Sequence, residues 1–568
     1  MAGSVSIDCG AKPSCAVRKA AEILRRVLLE RCGVKVAPAG RADCRVALSL
    51  KAGIGTEGFA ISDGQDGAVH IVGSDALGLV HGVGKFLRDC RCGAGSFVPG
   101  SWRGTSIPAK PVRGMYFASH FHNFYHDAPV EKVERYVEEL ALWGCNALSL
   151  WFDMHHFTGI DDPAAQAMIR RLRAVLQAAG RVGIRPGLTT LANEAYSTSP
   201  QHLRADWTAG HDGYTSPPGG HYHVEICPSK PGGLELIVKL RREMLEAFSD
   251  LDIQYVWIWP YDQGGCTCAR CAPWGVNGFL RTAKAEAEVI RQCCPSARTI
   301  LSTWYFDRFT SGEWEGLAKA FEREKPHWAN YLMADDFGGF PAYPLQHGVP
   351  GGLPVVNFPE ISMESMFPWG GFGANPRPSH WQAQWDKTRH LVAGGFPYSE
   401  GIYEDINKVI FFQFGWNPQR SAADIVREYA AYEFAPEVAG DVARAVELME
   451  QGLSHGIRGK LPETLYQPQP DIYQLDKTDK ARECFELMQA ADAGLSARAR
   501  QSWRWRVLWL RAALDAELRQ SAGKATRKTE QYFDELKAIY HADAAEFQVA
   551  APGVESLKRI FAEGIKQT

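Results

Sequence analysis

The stretch Tyr255–Gly275, YVWIWPYDQGGCTCARCAPWG, contains the clearest local signals for the fold of this 568-residue chain. It opens with the apolar run Tyr255–Trp259, which predicts a short buried strand that ends at Pro260. An acid, Asp262, follows directly, and three cysteines come next in the pattern C-x-C-x-x-C. In a parallel (β/α)8 barrel, catalytic side chains lie where strands end and loops begin. The stretch therefore predicts one strand of such a barrel and its loop at the active-site mouth.

Alternating strands and helices from residue 109 to residue 420 predict the rest of the barrel. Most of the short apolar runs in this region are followed by a helix with apolar residues at helical spacing. The predicted strands are Val112–Ala118, Asn146–Phe152, Arg185–Leu191, Tyr255–Trp259, Thr299–Phe306, Ala329–Ala334, Leu353–Phe358 and Gly395–Ser399. A doubly wound open sheet is the alternative, but no glycine-rich phosphate loop follows the first strand. The pattern therefore favours an α/β fold of the TIM (β/α)8 barrel type.

The segments on either side of the barrel have patterns of their own. Residues 1–108 predict a small α/β domain, with helices at Ser14–Arg31 and Ala76–Leu87 and a linker over Ser96–Lys110. Residues 421–568 predict an α-helical domain that serves in packing or in forming a homo-oligomer. Three domains, 1–108, 109–420 and 421–568, agree with the length of the chain.

Composition and charge argue against several classes of partner. The formal net charge of -3 gives no indication of nucleic acid or of an anionic membrane surface. No apolar run is long enough for a membrane span, and the N-terminus lacks the features of a secretory signal. Most of the 14 cysteines are expected to be buried thiols in a reducing compartment. We therefore expect a cytoplasmic protein, or a periplasmic or secreted one if a signal peptide has been removed.

Carboxylates and aromatic side chains are concentrated at the predicted C-terminal ends of the barrel strands. Glycoside cleavage requires two carboxyl groups, one that protonates the leaving oxygen and one that attacks or activates water. Aromatic faces suit sugar rings, although a large aromatic core would explain the same composition. These ends predict a glycoside hydrolase that acts on an oligosaccharide or glycoside without a cofactor. The candidate catalytic residues are Asp262, Asp336, Glu360 and Glu400, and the candidate sugar-binding residues are Arg113, His120, His122, Trp151, Trp259, Tyr261, Trp304, Tyr305, Asp335 and Glu404.

Two other functions fit the same strand ends. His120, His122 and Asp153 could hold a divalent ion that activates water, as in a metal-dependent barrel hydrolase or isomerase. A barrel that binds carbohydrate without cleaving it is the second alternative. Gln263 suggests this alternative, because an amide beside Asp262 cannot protonate a leaving group.

The cysteines Cys266, Cys268 and Cys271 have no obvious fourth ligand near them in sequence. A complete zinc ribbon needs a second C-x-x-C pair, and none occurs at a usable spacing. Cys227, or a histidine from another loop, would have to complete a metal site. The favoured interpretation is that the three thiols shape a tight loop over the mouth, and that no metal is bound.

Three stretches of the sequence resemble exo-glycosidases. ISDGQDGAVHIVGSDALGLVHGVGKFL, at 61–87, resembles the small domain that precedes the barrel in family 20 β-hexosaminidases and family 67 α-glucuronidases. PVRGMYFASHFHNF, at 111–124, resembles the start of the family 20 barrel. FGWNPQRSAADIVREYAAYEF, at 414–434, resembles the entry to the helical C-terminal domain of family 67. The resemblance implies the same three-part architecture and an exo-acting glycosidase.

The resemblance to family 20 also implies roles for single residues. It implies that Arg113 grips hydroxyls of the terminal sugar, although Ala118 and Phe121 replace the next Asp and Arg of the family pattern. The acid of the family 20 Asp-Glu pair after the fourth strand is replaced by Gln263. A standard family 20 mechanism is therefore not expected.

The resemblance to family 67 assigns the catalytic roles differently. It implies that Asp262 is the general acid and that Asp335 or Asp336, together with Glu360, activates the attacking water. We favour Asp336 and Glu360 as the residues that position and deprotonate this water, which gives inversion. Glu400 would bind sugar hydroxyls or exchange roles with Glu360.

Overall fold

The computed structural model describes residues 1–119, 123–206, 224–261, 265–308, 310–336, 339–361, 374–452, 478–521 and 526–540. The first part of the chain forms a mixed sheet with strand order β2-β1-β3-β5-β4-β8, packed against two helices. A short hairpin, β6–β7, lies outside this sheet. The elements are β1 (Ser4–Asp8), α1 (Cys15–Cys32), β2 (Lys35–Val36), β3 (Cys44–Leu50), β4 (Phe59–Asp63), β5 (Val69–Gly73), α2 (Ala76–Asp89), β6 (Arg91–Gly93), β7 (Ser96–Val98) and β8 (Gly104–Ser106).

Local sequence explains the ends of the first helix. The side chain of Ser14 accepts a hydrogen bond from the backbone N–H of Val17 and caps the start of α1. Gly33 ends the helix in the left-handed conformation, with a φ of 65°. The cysteine at the end of α1, Cys32, forms a disulfide with Cys92, and the other 12 cysteines are free.

The central part of the chain closes into a parallel barrel. From β10 to β16, each strand pairs in parallel with the next one along the chain. The first strand, β9, closes the barrel, because it pairs with β10 on one side and with β16 and β17 on the other. The strands are β9 (Val112–Phe117), β10 (Ala147–Trp151), β11 (Arg185–Leu191), β12 (Tyr255–Trp259), β13 (Arg298–Ser302), β14 (Tyr331–Asp336), β15 (Val355–Pro359), β16 (Val392–Gly395) and β17 (Tyr398–Ser399). All eight predicted strands are present, with β16 and β17 together in the eighth position. The predicted TIM barrel is confirmed.

Helices follow the barrel strands and cover their outer face. Every residue of β10, β12 and β15 is buried, which explains why these strands appear in the sequence as uninterrupted apolar runs. The helices of this part are α3 (Phe124–Asp127), α4 (Val130–Leu142), α5 (Pro163–Arg181), α6 (Gly233–Glu246), α7 (Gly278–Cys293), α8 (Glu313–Arg323), α9 (Ala342–His347), α10 (Pro378–Thr388) and α11 (Asp405–Trp416).

The described part of the chain after residue 421 is helical, as predicted. Its helices are α12 (Ala422–Glu433), α13 (Ala439–Gln451), α14 (Lys480–Gly494), α15 (Ala497–Gln501), α16 (Trp503–Gln520) and α17 (Arg527–Tyr540). Arg504 of α16 fastens this segment to the barrel, because its guanidinium contacts Asp405 at 2.7 Å and Glu139 at 2.8 Å. Among the described helices, none has the length and apolar character needed to cross a lipid bilayer. Self-association through this segment stays a prediction.

Arg113 lies at the end of the barrel opposite the mouth, near the start of β9. Its buried guanidinium donates to Glu57 of the small domain, to the carbonyl of Gly144 at 2.8 Å and to that of Lys110 at 2.7 Å. Glu57 also pairs with Arg185, the first residue of β11. The prediction that Arg113 grips the sugar is therefore wrong. Because strand starts and strand ends face opposite sides of a barrel, Arg113 joins the barrel to the small domain instead.

Candidate active site

The structure describes only some of the predicted site residues. His120, His122, Asp262 and Gln263 lie outside the described residues, as does the side chain of Asp336, whose backbone ends β14. The remaining candidates, apart from Arg113, lie at the C-terminal ends of barrel strands or in the loops that follow. The geometry of the mouth is therefore built from this second group.

Two buried carboxylates, Glu360 and Glu400, lie close to Tyr398. The hydroxyl of Tyr398 donates to Oε1 of Glu400 over 2.7 Å, and a backbone bridge joins Tyr398 to Glu360 after β15. The exposed fractions of Glu360, Glu400 and Tyr398 are 1%, 5% and 6%. Burial, and then the charges of Glu400 and Glu360, raise the pKa of Tyr398 well above its usual value. The phenol therefore stays protonated and donates a hydrogen bond within a pair of acids.

Asp335 is a second kind of acid at this end of the barrel. It lies at the end of β14 and is half-buried. Burial raises the pKa of Asp335 to about 7, although backbone N–H donors, including that of Tyr305, and the charge of Arg308 oppose the shift. A carboxyl group with a pKa near 7 can carry a proton at neutral pH and act as a general acid.

The backbone around Tyr305 is strained. Its φ of 60° lies in the left-handed region, which bulky residues rarely adopt. Such a conformation costs about 1–3 kcal/mol and persists only where surrounding contacts fix it. Here Tyr305 stacks on Trp304 at 4.4 Å between ring centroids, and the guanidinium of Arg308 lies 4.1 Å from its ring. The strained backbone lets the N–H of Tyr305 hydrogen-bond to Asp335.

Aromatic rings form the floor beneath these acids. Trp259, the last residue of β12, lies 5.0 Å from Phe358 and 5.5 Å from Trp304 between ring centroids. Tyr116 stacks on Tyr398 at 5.6 Å. The indole N–H of Trp259 is buried and has no hydrogen-bond partner among the described residues. A buried donor of this kind is costly unless it binds a partner such as a ligand oxygen.

Glu194, a buried acid that follows β11, is a further site residue that the sequence pattern did not single out. Its carboxylate accepts hydrogen bonds from the indole N–H of Trp151 at 3.1 Å and from the backbone N–H of His155 at 3.3 Å. The ring Nδ1 of His155 lies 2.8 Å from the same carboxylate. Its position directly after a barrel strand was the available signal. Trp151, a predicted sugar-binding residue, thus uses its indole N–H to hold Glu194.

Asp153, His155 and His156 bring possible ligand atoms within 4.8 Å of one another. Nε2 of His156 lies 3.1 Å from the carboxylate of Asp153. Burial lowers the pKa of His156, but the hydrogen bond and charge of Asp153 outweigh it, so that the pKa lies above its usual value. This cluster is the described counterpart of the predicted metal site, whose other members, His120 and His122, are not described.

Tyr261 and Glu404, which were predicted to bind the sugar, contact other residues of the protein instead. Tyr261 is 1% exposed, and its hydroxyl donates to Glu313 of α8 over 2.6 Å. Glu404 is 2% exposed, accepts a hydrogen bond from Ser399 at 2.6 Å and pairs with Lys408 at 3.4 Å. Because both side chains are buried in these contacts, the structure assigns them to the support of the loops rather than to sugar binding.

The three cysteines of the opening stretch lie beside a fourth. Cys227, in the long connection after β11, brings its sulfur to 3.8 Å from those of Cys268 and Cys271. All four sulfurs, including that of Cys266, lie within 4.8 Å of one another. Cys227, which the sequence offered only as an alternative fourth ligand, therefore lies with the three cysteines, and the favoured interpretation that the three thiols shape the loop without a metal stays a prediction.

No family model matches the sequence, and no curated protein matches it. Among solved structures, it is similar to a family GH115 4-O-methyl-α-glucuronidase with specificity for decorated arabinogalactans (TM-score 0.63, 11% identity, 99% of this chain and 80% of that one). A family 89 glycoside hydrolase from Clostridium perfringens, in complex with GlcNAc-α-1,4-galactose, gives a TM-score of 0.61 at 12% identity, over 96% of this chain and 65% of that one. The family 20 chitobiase of Flavobacterium johnsoniae gives a TM-score of 0.53 at 13% identity, over 99% of this chain and 96% of that one. These likenesses confirm the fold that the sequence resemblance implied.

Proposed function

We propose that this protein is an exo-acting glycoside hydrolase. The observation that carries the proposal is the set of carboxyl groups at the strand ends: Glu360 and Glu400, both buried beside Tyr398, and Asp335, whose pKa of about 7 lies well above that of an ordinary carboxyl group. Glycoside hydrolysis needs two carboxyl groups in different protonation states, and environments that separate their pKa values supply them. The barrel fold, shared with solved glycoside hydrolases, supports the same chemistry by analogy.

The residues divide the reaction between them as follows. An acid protonates the leaving oxygen while Glu360 deprotonates a water molecule on the other face of the sugar, which inverts the anomeric centre. Glu400, held by Tyr398, binds sugar hydroxyls. The acid is either Asp262, implied by the sequence resemblance, or Asp335, whose pKa of about 7 suits the role.

Activity on a panel of aryl glycosides tests the proposal. The panel includes uronides and N-acetylhexosaminides, because enzymes for such sugars share the fold. On the substrate that is cleaved, Glu360→Gln and Glu400→Gln should each lower kcat/KM at least about 10³-fold with unchanged circular dichroism. Glu131→Gln, an exposed residue of α4, is the matched control. Wild-type activity in both amide variants would refute the assignment.

Leaving-group dependence identifies the acid. A variant that lacks the general acid should lose activity on poor leaving groups and keep it on dinitrophenyl glycosides, which need no protonation. Asp262→Asn and Asp335→Asn are compared on both kinds of substrate. Proton NMR of the first-formed product tests inversion, because a retaining enzyme releases the opposite anomer.

A metal-dependent hydrolase or isomerase is the second candidate. The short distances among Asp153, His155 and His156 are the observation that favours it. If it is correct, His155→Ala should remove both a bound metal and the activity, and added metal should restore the wild-type enzyme after chelation. Sugar binding by calorimetry without turnover of any substrate would instead indicate a non-catalytic carbohydrate-binding barrel.

A further inference from the structure

Four cysteine sulfurs converge at one point beside the barrel mouth. Cys227, Cys266 and Cys271 are fully buried, and Cys268 is half-buried. The four come from two separate segments, one after β11 and one after β12. The function proposed above uses none of them, so the cluster needs its own explanation.

The spacing of the sulfurs distinguishes metal ligation from disulfide bonding. A tetrahedral zinc ion with four zinc–sulfur bonds of about 2.3 Å holds its sulfurs about 3.8 Å apart. The sulfur of Cys227 lies 3.8 Å from that of Cys268 and 3.8 Å from that of Cys271. A disulfide would bring two sulfurs to about 2.05 Å. Two of the six sulfur–sulfur distances therefore match the edge of a zinc tetrahedron, and the other four are no longer than 4.8 Å.

Hydrogen-bond donors and a positive charge lie beside the sulfurs. The backbone N–H of Asp206 points at the sulfur of Cys266 over 3.4 Å, and the hydroxyl of Ser229 lies 3.1 Å from the sulfur of Cys271. Lys230, which pairs with Asp206 at 2.8 Å, brings a positive charge close by. Donors and cations of this kind orient the ligands of a metal site and offset its net negative charge.

We propose that Cys227, Cys266, Cys268 and Cys271 bind one structural zinc ion. Four thiolates close the coordination shell, so the ion has no open position for water or substrate and does not take part in catalysis. Soft thiolate ligands in a tetrahedron select zinc over magnesium, calcium or manganese.

The zinc joins two loops at the mouth of the barrel. Asn193 already bridges them, since its amide donates to the carbonyls of Ile226 at 3.1 Å and Gly265 at 2.8 Å and accepts from the N–H of Gly265 at 3.0 Å. The ion adds a stronger connection beside this one. It thereby fixes the loop that follows β12 against the segment that follows β11.

Metal analysis of the full-length protein, purified without a metal-affinity step, tests the proposal. We expect about one zinc per chain by mass spectrometry, and less than about 0.1 in Cys227→Ser and Cys271→Ser. Cys293→Ser, which changes a free cysteine outside the cluster, should keep its zinc, as should His155→Ala. Retention in His155→Ala separates this site from the histidine cluster.

A second measurement does not depend on variants that fold. Wild-type protein produced with cobalt should show the visible absorption of a tetrahedral cobalt thiolate, and X-ray absorption of the zinc form should give four sulfur neighbours at about 2.3 Å. Stoichiometric iron or copper in place of zinc, nitrogen or oxygen ligands, disulfides among these four cysteines, or zinc retained in Cys271→Ser would each overturn the proposal. None of these readouts uses enzymatic activity, so the proposed function can fail independently.

Discussion

Replacing Glu57 with glutamine tests the assignment of Arg113 to the closed end of the barrel. The carboxylate of Glu57 lies between the guanidinium groups of Arg113 and Arg185, and it also accepts hydrogen bonds from the amide of Asn146 at 3.1 and 3.0 Å. The side chains of Arg113 and Glu57 are 0% and 4% exposed. An amide fills the same space but leaves two guanidinium charges without a counter-charge.

The pKa of Glu57 gives the size of the effect. Burial alone would raise it, but the charges of Arg113 and Arg185 lower the pKa from 4.5 to about 2. A lowering of this size corresponds to roughly 3 kcal/mol, and solvent screening is small because the side chain of Glu57 is 4% exposed. Removing one partner of a buried ion pair typically costs about 3–5 kcal/mol. We therefore expect Glu57→Gln to lower the free energy of unfolding by about 3 kcal/mol at pH 7.

The pH dependence follows from the direction of the shift. Because the folded-state pKa lies below the unfolded value, the stabilisation is fully present above about pH 4.5 and is lost as the pH falls toward 2. Burial lowers the pKa of Arg113, but a guanidinium stays protonated throughout this range. The difference in stability between wild type and Glu57→Gln should therefore shrink in acid.

Urea denaturation at pH 7 and pH 3, followed by tryptophan fluorescence, measures this difference. The exposed control Glu131→Gln should change stability by less than about 0.5 kcal/mol. A loss below about 1 kcal/mol for Glu57→Gln at pH 7, or a loss independent of pH, would refute the reasoning. A raised KM with unchanged stability in Arg113→Lys would restore the sugar-binding assignment.

Three further predictions concern the mouth and the helical segment. Tyr398→Phe should lower kcat/KM about 10- to 100-fold with unchanged circular dichroism, because Glu400 loses its donor at 2.7 Å; wild-type kinetics would contradict this. If Asp335 is the acid, activity on poor leaving groups should fall as the pH rises above about 7, and Asp335→Asn should lack that limb in a pH–rate profile. Asp405→Asn should lower the free energy of unfolding by about 1–3 kcal/mol in urea denaturation, because Arg504 loses its charged partner at 2.7 Å but keeps Glu139 at 2.8 Å.

The barrel was predictable because buried parallel strands leave continuous apolar runs in the sequence. The bounds of β11 and β12 match the prediction residue for residue. The eighth strand was predicted as one piece, but the chain divides it around Pro397, which has no N–H for the sheet. In the small domain, strands β1, β6, β7 and β8 were not predicted, and both β7 and the edge strand β8 lie within the segment predicted as a linker. The residues of β8, Gly104–Ser106, have no apolar pattern, because backbone pairing with β4 and a hydrogen bond from Trp416 to Ser106 hold them rather than burial of apolar side chains.

The location of a candidate site residue was predictable only where its position relative to a strand determines which end of the barrel it faces. Glu360 and Glu400 follow strands, and residues there face the mouth whatever their neighbours are. Arg113 is the second residue of β9 and therefore lies at the end of the barrel opposite the mouth. The resemblance to family 20 gave it a role at the mouth, which is the wrong end. Cys227 reaches the other cysteines through a long connection whose path the sequence does not encode locally. The spacing of residues along the chain therefore did not indicate that Cys227 joins the other three cysteines.

The two sides of the mouth are supported in different ways, and this difference can identify the general acid. Glu360 and Glu400 come directly after barrel strands, and Asp335 lies at the end of one. Asp262, in contrast, belongs by sequence to the loop that the proposed zinc would fix. If Asp262 is the acid, loss of zinc in Cys271→Ser should reduce turnover of poor leaving groups far more than turnover of dinitrophenyl glycosides. If Asp335 is the acid, both kinds of substrate should be affected equally. Equal loss in the zinc-free variant, with a selective loss in Asp335→Asn, would exclude Asp262 from proton transfer.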